Sequence, residues 1–288
     1  MNQTESITLK ANAKVNLTLD ALEKRSDGYH NLRMIMMEIP LFDTVSLCKQ
    51  DDITVSTNLS FLPNNEKNIA YRAAKLFFEA TGIVGGVSIQ IEKRIPVSAG
   101  LAGGSTDAAA VLKGLNQMYD ANLSLTQLQE LGNQLGKDIP FCLQGGVALA
   151  EGTGELLTPL SSLPHCYLVL VKPKHLNVST KEVFGALKAS ELELHPDTQG
   201  AIQAIQEHNL SGICRRMYNV LEEVTGEKLS IIGKIKSIMY DNGSVGAMMS
   251  GSGPSVFGFF EEEQSAQNAC EEIKKFCSFC KVTKTLSI

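Results

Sequence analysis

Apolar and polar residues alternate from Ile7 to Asp20. Ala11, Ala13, Val15, Leu17 and Leu19 fall on one face and Asn12, Lys14, Asn16, Thr18 and Asp20 on the other, which is the period of a β-strand. Val87-Ser88-Ile89-Gln90-Ile91 alternates in the same way, and Asp43 to Leu47 and Ile53 to Ser56 read as further short strands. Arg25-Ser26-Asp27-Gly28-Tyr29-His30 carries the Asp-Gly pair typical of a hairpin turn. The period then becomes helical. Ile69, Ala73, Leu76 and Phe77 recur at helical spacing behind Asn68, a capping residue, and Ala108, Val111, Leu112 and Leu115 do the same. Ser124-Leu125-Thr126-Gln127 opens a helix running to about Leu135, with Gly136 as its C-cap. Asp138 precedes Pro140, a proline suited to the first turn of a short helix, and the apolar Val147 to Ala150 follows.

Pro and Ser gather between Thr158 and Pro164, and a domain boundary is expected there, giving domains 1–160 and 161–288. Beyond it lie a strand at Tyr167 to Val171 and a helix carrying Val183, Phe184 and Leu187 behind Ser179-Thr180. Helical patterns continue through Met239. Strands at Gly246 to Met249 and Ser255 to Phe260 are joined by Ser250-Gly251-Ser252-Gly253-Pro254; a helix near Ser265 to Phe276 and a last strand at Lys281 to Leu286 follow. Strand, strand, helix, strand is the ending of a ferredoxin-like unit, so the class is α+β.

Composition narrows the function. In 288 residues, 43% are hydrophobic and 20% charged, an ordinary globular balance. A net charge of −5 excludes a basic face for nucleic acid or anionic membrane, so an anionic ligand has to be met by a few local cations. Seven cysteines scattered from Cys48 to Cys280 make no disulfide framework and fit a reducing compartment. Cys277 and Cys280 have CxxC spacing without a second pair, and His30, His165, His175, His195 and His208 show no ligand spacing, so no metal site is expected from the protein itself. The opening Met1-Asn2-Gln3-Thr4-Glu5-Ser6 lacks the basic start and apolar core of a signal peptide, and no apolar run reaches membrane-spanning length. A cytoplasmic protein is expected.

The candidate chemistry centres on Ile95-Pro96-Val97-Ser98-Ala99-Gly100-Leu101-Ala102-Gly103-Gly104-Ser105-Thr106-Asp107. Its glycines stand between a strand and a helix, where a backbone without Cβ atoms can approach a ligand closely. Ser105, Thr106 and Asp107 are the N-cap candidates of that helix. A helix start facing such a loop is a site for an anion, most often phosphate. The stretch has neither the Gly-Lys-Ser/Thr of a Walker A loop nor GxGxxG. Lys14 between Asn12 and Asn16 is either solvated decoration or a working cation, and Asp138 either a capping carboxylate or a base.

Three motifs stand in order: Ala11 to Asn16, Pro96 to Ala110, and Met248 to Val256. Together they resemble the three signature motifs of the GHMP kinase superfamily. Asp27-Gly28-Tyr29-His30, Gly136-Lys137-Asp138-Ile139-Pro140-Phe141 and Glu151-Gly152-Thr153-Gly154-Glu155 extend the likeness to the branch acting on a cytidine diphosphate ester. The resemblance implies an N-terminal domain like domain 2 of ribosomal protein S5, a ferredoxin-like C-terminal domain, and transfer of the γ-phosphoryl group of ATP to the 2-hydroxyl of CDP-methylerythritol.

By that resemblance Asp138 orients and deprotonates the hydroxyl, and Lys14 holds Asp138 ionised and offsets charge on the transferred group. Pro96, Val97, Ser98, Ala99, Gly100, Leu101, Ala102, Gly103, Gly104, Ser105 and Thr106 wrap the triphosphate, with Ser105 or Thr106 near a Mg²⁺ that the phosphates mainly hold. Asn68 and Lys93 match positions by the adenine and its pocket. Tyr29, His30 and Phe184 match those that grip the cytosine, Asn16 touches the methylerythritol end, and Gly251 to Gly253 close the site. Ala102 stands where glycine is frequent, Thr106 where a second serine is frequent, and Met36 where some members place an aromatic near the cytosine. The alternatives are a sister kinase acting on mevalonate, phosphomevalonate or homoserine, with less use for a base clamp, and a non-catalytic nucleotide binder, which would need neither Lys14 nor Asp138. A monomer and a homodimer both remain open.

Overall fold

A computed structural model describes residues 6–174 and 176–286. Met1 to Glu5, on which the leader argument rests, and His175 lie outside them. In chain order the elements are β1 (Ser6–Lys24), β2 (His30–Gln50), β3 (Thr54–Thr57), α1 (Ile69–Thr81), β4 (Gly86–Glu92), α2 (Gly103–Met118), α3 (Leu125–Leu135), α4 (Ile139–Gln144), β5 (Val147–Glu151) and β6 (Leu156–Leu160). They continue with β7 (Tyr167–Pro173), α5 (Thr180–Ala186), α6 (Thr198–Gln206), α7 (Leu210–Cys214), β8 (Tyr218–Asn219), α8 (Leu221–Lys228), α9 (Ile231–Asp241), β9 (Gly246–Met249), β10 (Val256–Phe260), α10 (Glu263–Lys274) and β11 (Cys277–Lys284). Among the described residues no helix is long and apolar enough to cross a membrane.

Two compact units share the chain. The first holds residues 6–13, 41–97 and 102–145, the second 14–40, 98–101 and the described residues from 146 onward. In the first unit β3 runs parallel to β4, and β4 pairs antiparallel with the end of β2, Thr44 opposite Glu92 through Gln50 opposite Gly86. Val87, Ile89 and Ile91 put one face of β4 into a core with Val45, Leu47 and Val55, and the helices cover that face through Ala70, Ala73, Ala74 and Phe77 of α1 and Ala108 to Leu112 of α2. Small side chains set how closely α2 lies on the strands. A Cβ on Gly114 would sit 2.4 Å from Leu47 Cδ1 and 2.8 Å from Leu9 Cδ1, inside van der Waals contact.

In the second unit β2 pairs antiparallel with β5, Met34 opposite Ala150 through Met37 opposite Val147; β5 pairs with β6, and β8 lies parallel to β1. A separate antiparallel sheet has the order β11-β7-β10-β9. Counting its strands along the chain, that order is fourth, first, third, second, the ferredoxin-like arrangement expected from the tail. Its core includes Phe257, Phe259, Val169, Val171, Ala269 and Ile273.

Several expectations need correction. The strand expected from Asp43 is the end of one that begins at His30. Met34, Ile35, Met36 and Met37 are all buried, so both faces of that stretch are apolar and the alternation that marks a half-buried strand is missing. The Pro-Ser stretch near 158 opens with β6, an edge strand whose Pro159 lies opposite Ala148, a place that tolerates a proline. The last strand starts at Cys277 rather than Lys281. Gly136 is the C-cap of α3 as expected, in an extended conformation, φ −176°. The cysteines are free thiols, and burial pushes Cys166 and Cys214 up to about 12, where they stay protonated.

Candidate active site

The glycine-rich stretch folds differently from the expectation of a side-chain cap. The N-cap of α2 is Ala102, at φ +58°, and it makes no side-chain capping hydrogen bond. Thr106 N donates to Ala102 O at 2.9 Å as the first helical bond, so the N–H groups of Gly103, Gly104 and Ser105 are left facing out of the helix start. The expected caps are employed elsewhere. Thr106 Oγ1 donates to Asn12 O at 2.7 Å and Asp107 bonds to Lys93. Left-handed φ values occur at Ser98 (+51°), Gly100 (+76°) and Ala102 (+58°), every second residue. Left-handed residues at alternate positions are a feature of anion-binding nests.

Among the glycines of this stretch, it is Gly100 that needs its missing Cβ for a close approach to backbone. A Cβ there would sit 2.1 Å from Ser250 O. Ser250 Oγ donates to Gly100 O at 3.0 Å, Ser255 N donates to Ala99 O at 3.3 Å, and Asn219 Nδ2 fastens the Ser250 turn through Met249 O and Gly251 O. Lys14 N donates to Leu101 O at 3.3 Å.

In the first unit the ends of the same stretch meet a buried charge cluster. Lys93 Nζ donates to Asp43 Oδ2, to Asp107 Oδ2 at 2.6 Å and to Gly103 O at 3.2 Å. All three ammonium hydrogens are used, so Lys93 has only its stem and backbone to offer an adenine. Asp43 Oδ1 accepts from the backbone N–H groups of Arg94 and Ile95. Asp107 Oδ1 is buried without a partner; burial pushes this carboxyl well above the usual range, and the Asp43 charge pushes the same way against the pull of Lys93. Asn68 caps α1 by accepting from Ala70 N at 3.0 Å and donates to Pro63 O at 2.9 Å.

The functional face of β1 lies in the second unit. Lys14 is 5% exposed and donates through Nζ to Asn16 Oδ1 at 2.8 Å, while Asn16 Nδ2 points to Met34 Sδ at 3.3 Å. A solvated decorative lysine is thereby excluded. Asp138 occupies the N-cap position of α4, but in right-handed helical conformation and with no side-chain capping bond, so a capping role does not account for its carboxylate.

His30 is 7% exposed and its ring lies 5.7 Å from that of Phe184, tilted by 30°. Burial, with Lys24 nearby, lowers the His30 pKa and keeps the imidazole neutral at pH 7. Tyr29, 54% exposed, stands on the hairpin turn where its backbone N–H bonds to Asp27 Oδ1 at 3.0 Å. Met36 is fully buried and belongs to the core, so it does not cover a face of any base. Sequence patterns did not reveal Asp43 at all, nor the His195 Nδ1 to Asp20 Oδ1 pair at 2.8 Å. Partners so far apart in the chain leave no spacing to find.

Among the described residues no group of three or more His, Cys, Asp and Glu side chains could hold a metal ion. A Mg²⁺ carried by the phosphates would need only a hydroxyl from the protein. Ser105 is the hydroxyl left for it, because Thr106 is buried and bonded to the strand.

Family models bring these features together. The model for the GHMP kinases N terminal domain matches residues 68–146 and that for GHMP kinases C terminal matches 201–278. The chain is 49% identical over 283 residues to 4-diphosphocytidyl-2-C-methyl-D-erythritol kinase of Acetivibrio thermocellus, covering 98% of this chain and 100% of the relative. It is 48% identical over 271 residues to the enzyme of the same name from Alkaliphilus metalliredigens, covering 93% of each. A crystal structure of 4-(cytidine 5'-diphospho)-2C-methyl-D-erythritol kinase superposes with TM-score 0.80 at 33% identity, over 97% of this chain and 98% of the other. Homoserine kinase from Cytophaga hutchinsonii has the same fold, TM-score 0.78 at 22% identity over 99% and 96% of the two chains.

Proposed function

The chain belongs to the GHMP kinases, among the 4-diphosphocytidyl-2-C-methyl-D-erythritol kinases, and on that premise we propose how its residues do the work. The enzyme phosphorylates the 2-hydroxyl of 4-diphosphocytidyl-2-C-methyl-D-erythritol in the non-mevalonate route to isoprenoid precursors, with ATP as donor. The observation that carries this reading is the uncapped start of α2 beside left-handed Ser98, Gly100 and Ala102, a cradle of N–H groups for a triphosphate. Pro96 to Thr106 line it, and Ser105 would stand by a Mg²⁺ held mainly by the phosphates, which would supply neutralisation of the charge on the transferred group.

Asp138 accepts the hydrogen of the 2-hydroxyl. A carboxylate is too weak a base to ionise an alcohol before the transition state. Its work is to aim the oxygen and take the proton as the new bond to phosphorus forms. Lys14, buried and aimed by Asn16, sets a fixed positive charge against the transferring group, the kind of preorganised stabilisation that supplies most of the rate in phosphoryl transfer. Asn16 also meets the methylerythritol end. Tyr29 and Phe184 stack on cytosine, and the neutral His30 reads its edge by hydrogen bonding. Asn68 and the Lys93 stem border the adenine, and Gly251 to Gly253 close the nest. The division into 1–160 and 161–288 belongs to the same proposal, supported by a family model within each part. The reducing cytoplasm remains the expected compartment.

A ³¹P NMR assay with Mg-ATP and, separately, diphosphocytidyl-methylerythritol, mevalonate and homoserine tests the assignment. A new phosphomonoester resonance with the first alone is expected. Turnover of mevalonate or homoserine instead would shift the reading to a sister kinase, and no turnover of any would leave a nucleotide binder.

A further inference from the structure

The loop that wraps the triphosphate is bordered by two short segments, Lys93 to Ile95 before it and Gly103 to Asp107 after it. Both are bonded to one buried group of charges. Asp43 Oδ1 accepts the N–H groups of Arg94 and Ile95 at the entrance, and Lys93 Nζ donates to Gly103 O and Asp107 Oδ2 at the exit. The circuit closes between Lys93 Nζ and Asp43 Oδ2. Lys93 is itself pinned at both of its backbone polar atoms, N donating to Asn58 Oδ1 at 2.8 Å and O accepting from Asn58 Nδ2 at 3.2 Å. The side chains of Asp43, Lys93 and Asp107 are 0%, 4% and 6% exposed.

A cluster this deeply buried is a poor device for stability alone, since desolvating three charged groups offsets much of their attraction. It is a good device for holding geometry. The fit around Gly103 is close: a Cβ there would stand 3.1 Å from Ile95 Cγ2 and 3.4 Å from Lys93 Nζ, so this residue brings the two ends of the loop together. An anion nest binds well only when its N–H groups already point at the ligand, because ordering them on binding subtracts from affinity.

We propose that Asp43, Lys93 and Asp107 are positioning residues that clamp both ends of the phosphate loop, so that the Lys93 ammonium serves the polyphosphate through the loop and makes no contact of its own with the nucleotide base. The inference rests on the reading of this loop as the triphosphate site. It differs from the adenine-pocket role that resemblance attaches to Lys93, because the ammonium has no hydrogen left for a base.

Calorimetry with two ligands separates the possibilities. In the wild-type protein the non-hydrolysable analogue AMP-PNP with Mg²⁺ is expected to bind far more tightly than adenosine. Equal affinity would overturn the triphosphate reading whatever the variants do. Lys93→Met is expected to weaken AMP-PNP by about tenfold or more, the cost of a mispositioned charged-ligand contact, while adenosine affinity changes by less than about twofold. KM for ATP should rise with kcat at saturating ATP little changed. Asp107→Asn, which keeps the shape and an acceptor for Lys93, should show the same selective loss on a smaller scale, and Lys93→Arg, which keeps the charge, should recover part of it. These two variants carry the comparison if Lys93→Met fails to fold. Loss of adenosine in parallel with AMP-PNP would overturn the clamp and make Lys93 a base contact; unchanged affinity for AMP-PNP in folded variants would overturn it as well.

Discussion

The loop proposed to hold phosphate and the side chains proposed to hold cytosine are built by opposite means. The loop uses backbone N–H groups, and its neighbours hold it in place: the Ser250 turn bonds Ala99 and Gly100, and the Asp43, Lys93 and Asp107 cluster grips the flanks. The clamp uses side chains, with His30 buried against Phe184 and Tyr29 half exposed on a turn. The lesson concerns what each ligand offers. A triphosphate presents charge in a fixed spacing that a preformed nest can match. A pyrimidine presents two flat faces, and one of its stacking partners can complete the site after the base has entered.

That comparison breaks most visibly at the chemistry that both ends serve. Asp138→Ala should lower kcat by roughly 10² or more, the scale of a positioned acid or base, with AMP-PNP affinity intact by calorimetry. Near-normal turnover would remove Asp138 from the mechanism. On the loop side, Gly100→Ala places a Cβ 2.1 Å from Ser250 O at φ +76°. It should cost at least about 2 kcal/mol, read as a fall in Tm together with weaker nucleotide binding. On the clamp side, Tyr29→Ala should raise KM for the diphosphocytidyl substrate by about tenfold, a lost stacking contact worth around 1 kcal/mol or slightly more, with kcat and Tm nearly unchanged because the ring is half in solvent. A matching fall in Tm would mean that Tyr29 holds the hairpin instead.

The smallest effect is a titration. Burial lowers the folded-state pKa of His30, so the unfolded chain binds its proton first. The resulting stabilisation is complete above the unfolded value near 6.5 and is lost as pH falls through the folded one. An NMR titration of the His30 ring should therefore show a midpoint below 6.5, and substrate affinity should decline with acidification over the same range.

Much of this was legible from residue order. The alternation from Ile7 to Asp20 marked β1 and the face bearing Lys14 and Asn16, because strand geometry repeats every two residues. Asn68 and Ser124 announced their helices through local hydrogen bonds that both form. Met34 to Met37 concealed the first half of β2, since burial on both faces erases the pattern. The start of α2 was misplaced for a related reason. Propensity assigned the cap to Ser105, Thr106 or Asp107, but tertiary partners, Asn12 O for Thr106 and Lys93 for Asp107, took the last two side chains, and the cap is Ala102.

By itself, then, the sequence determined what depends on near neighbours: the strand and helix periods, the turn at Asp27-Gly28, the loop between a strand and a helix, and the motifs that mark the family. Only the tertiary structure decided which protein groups meet each charge. Lys14 and Lys93 are both single lysines beside polar residues on the page. One ends on an asparagine of its own strand, the other on two carboxylates and a carbonyl drawn from 50, 14 and 10 residues away. The physical reason is that a side chain's role is set by the partners that meet its charge once water has been excluded, and folding alone brings those partners to it.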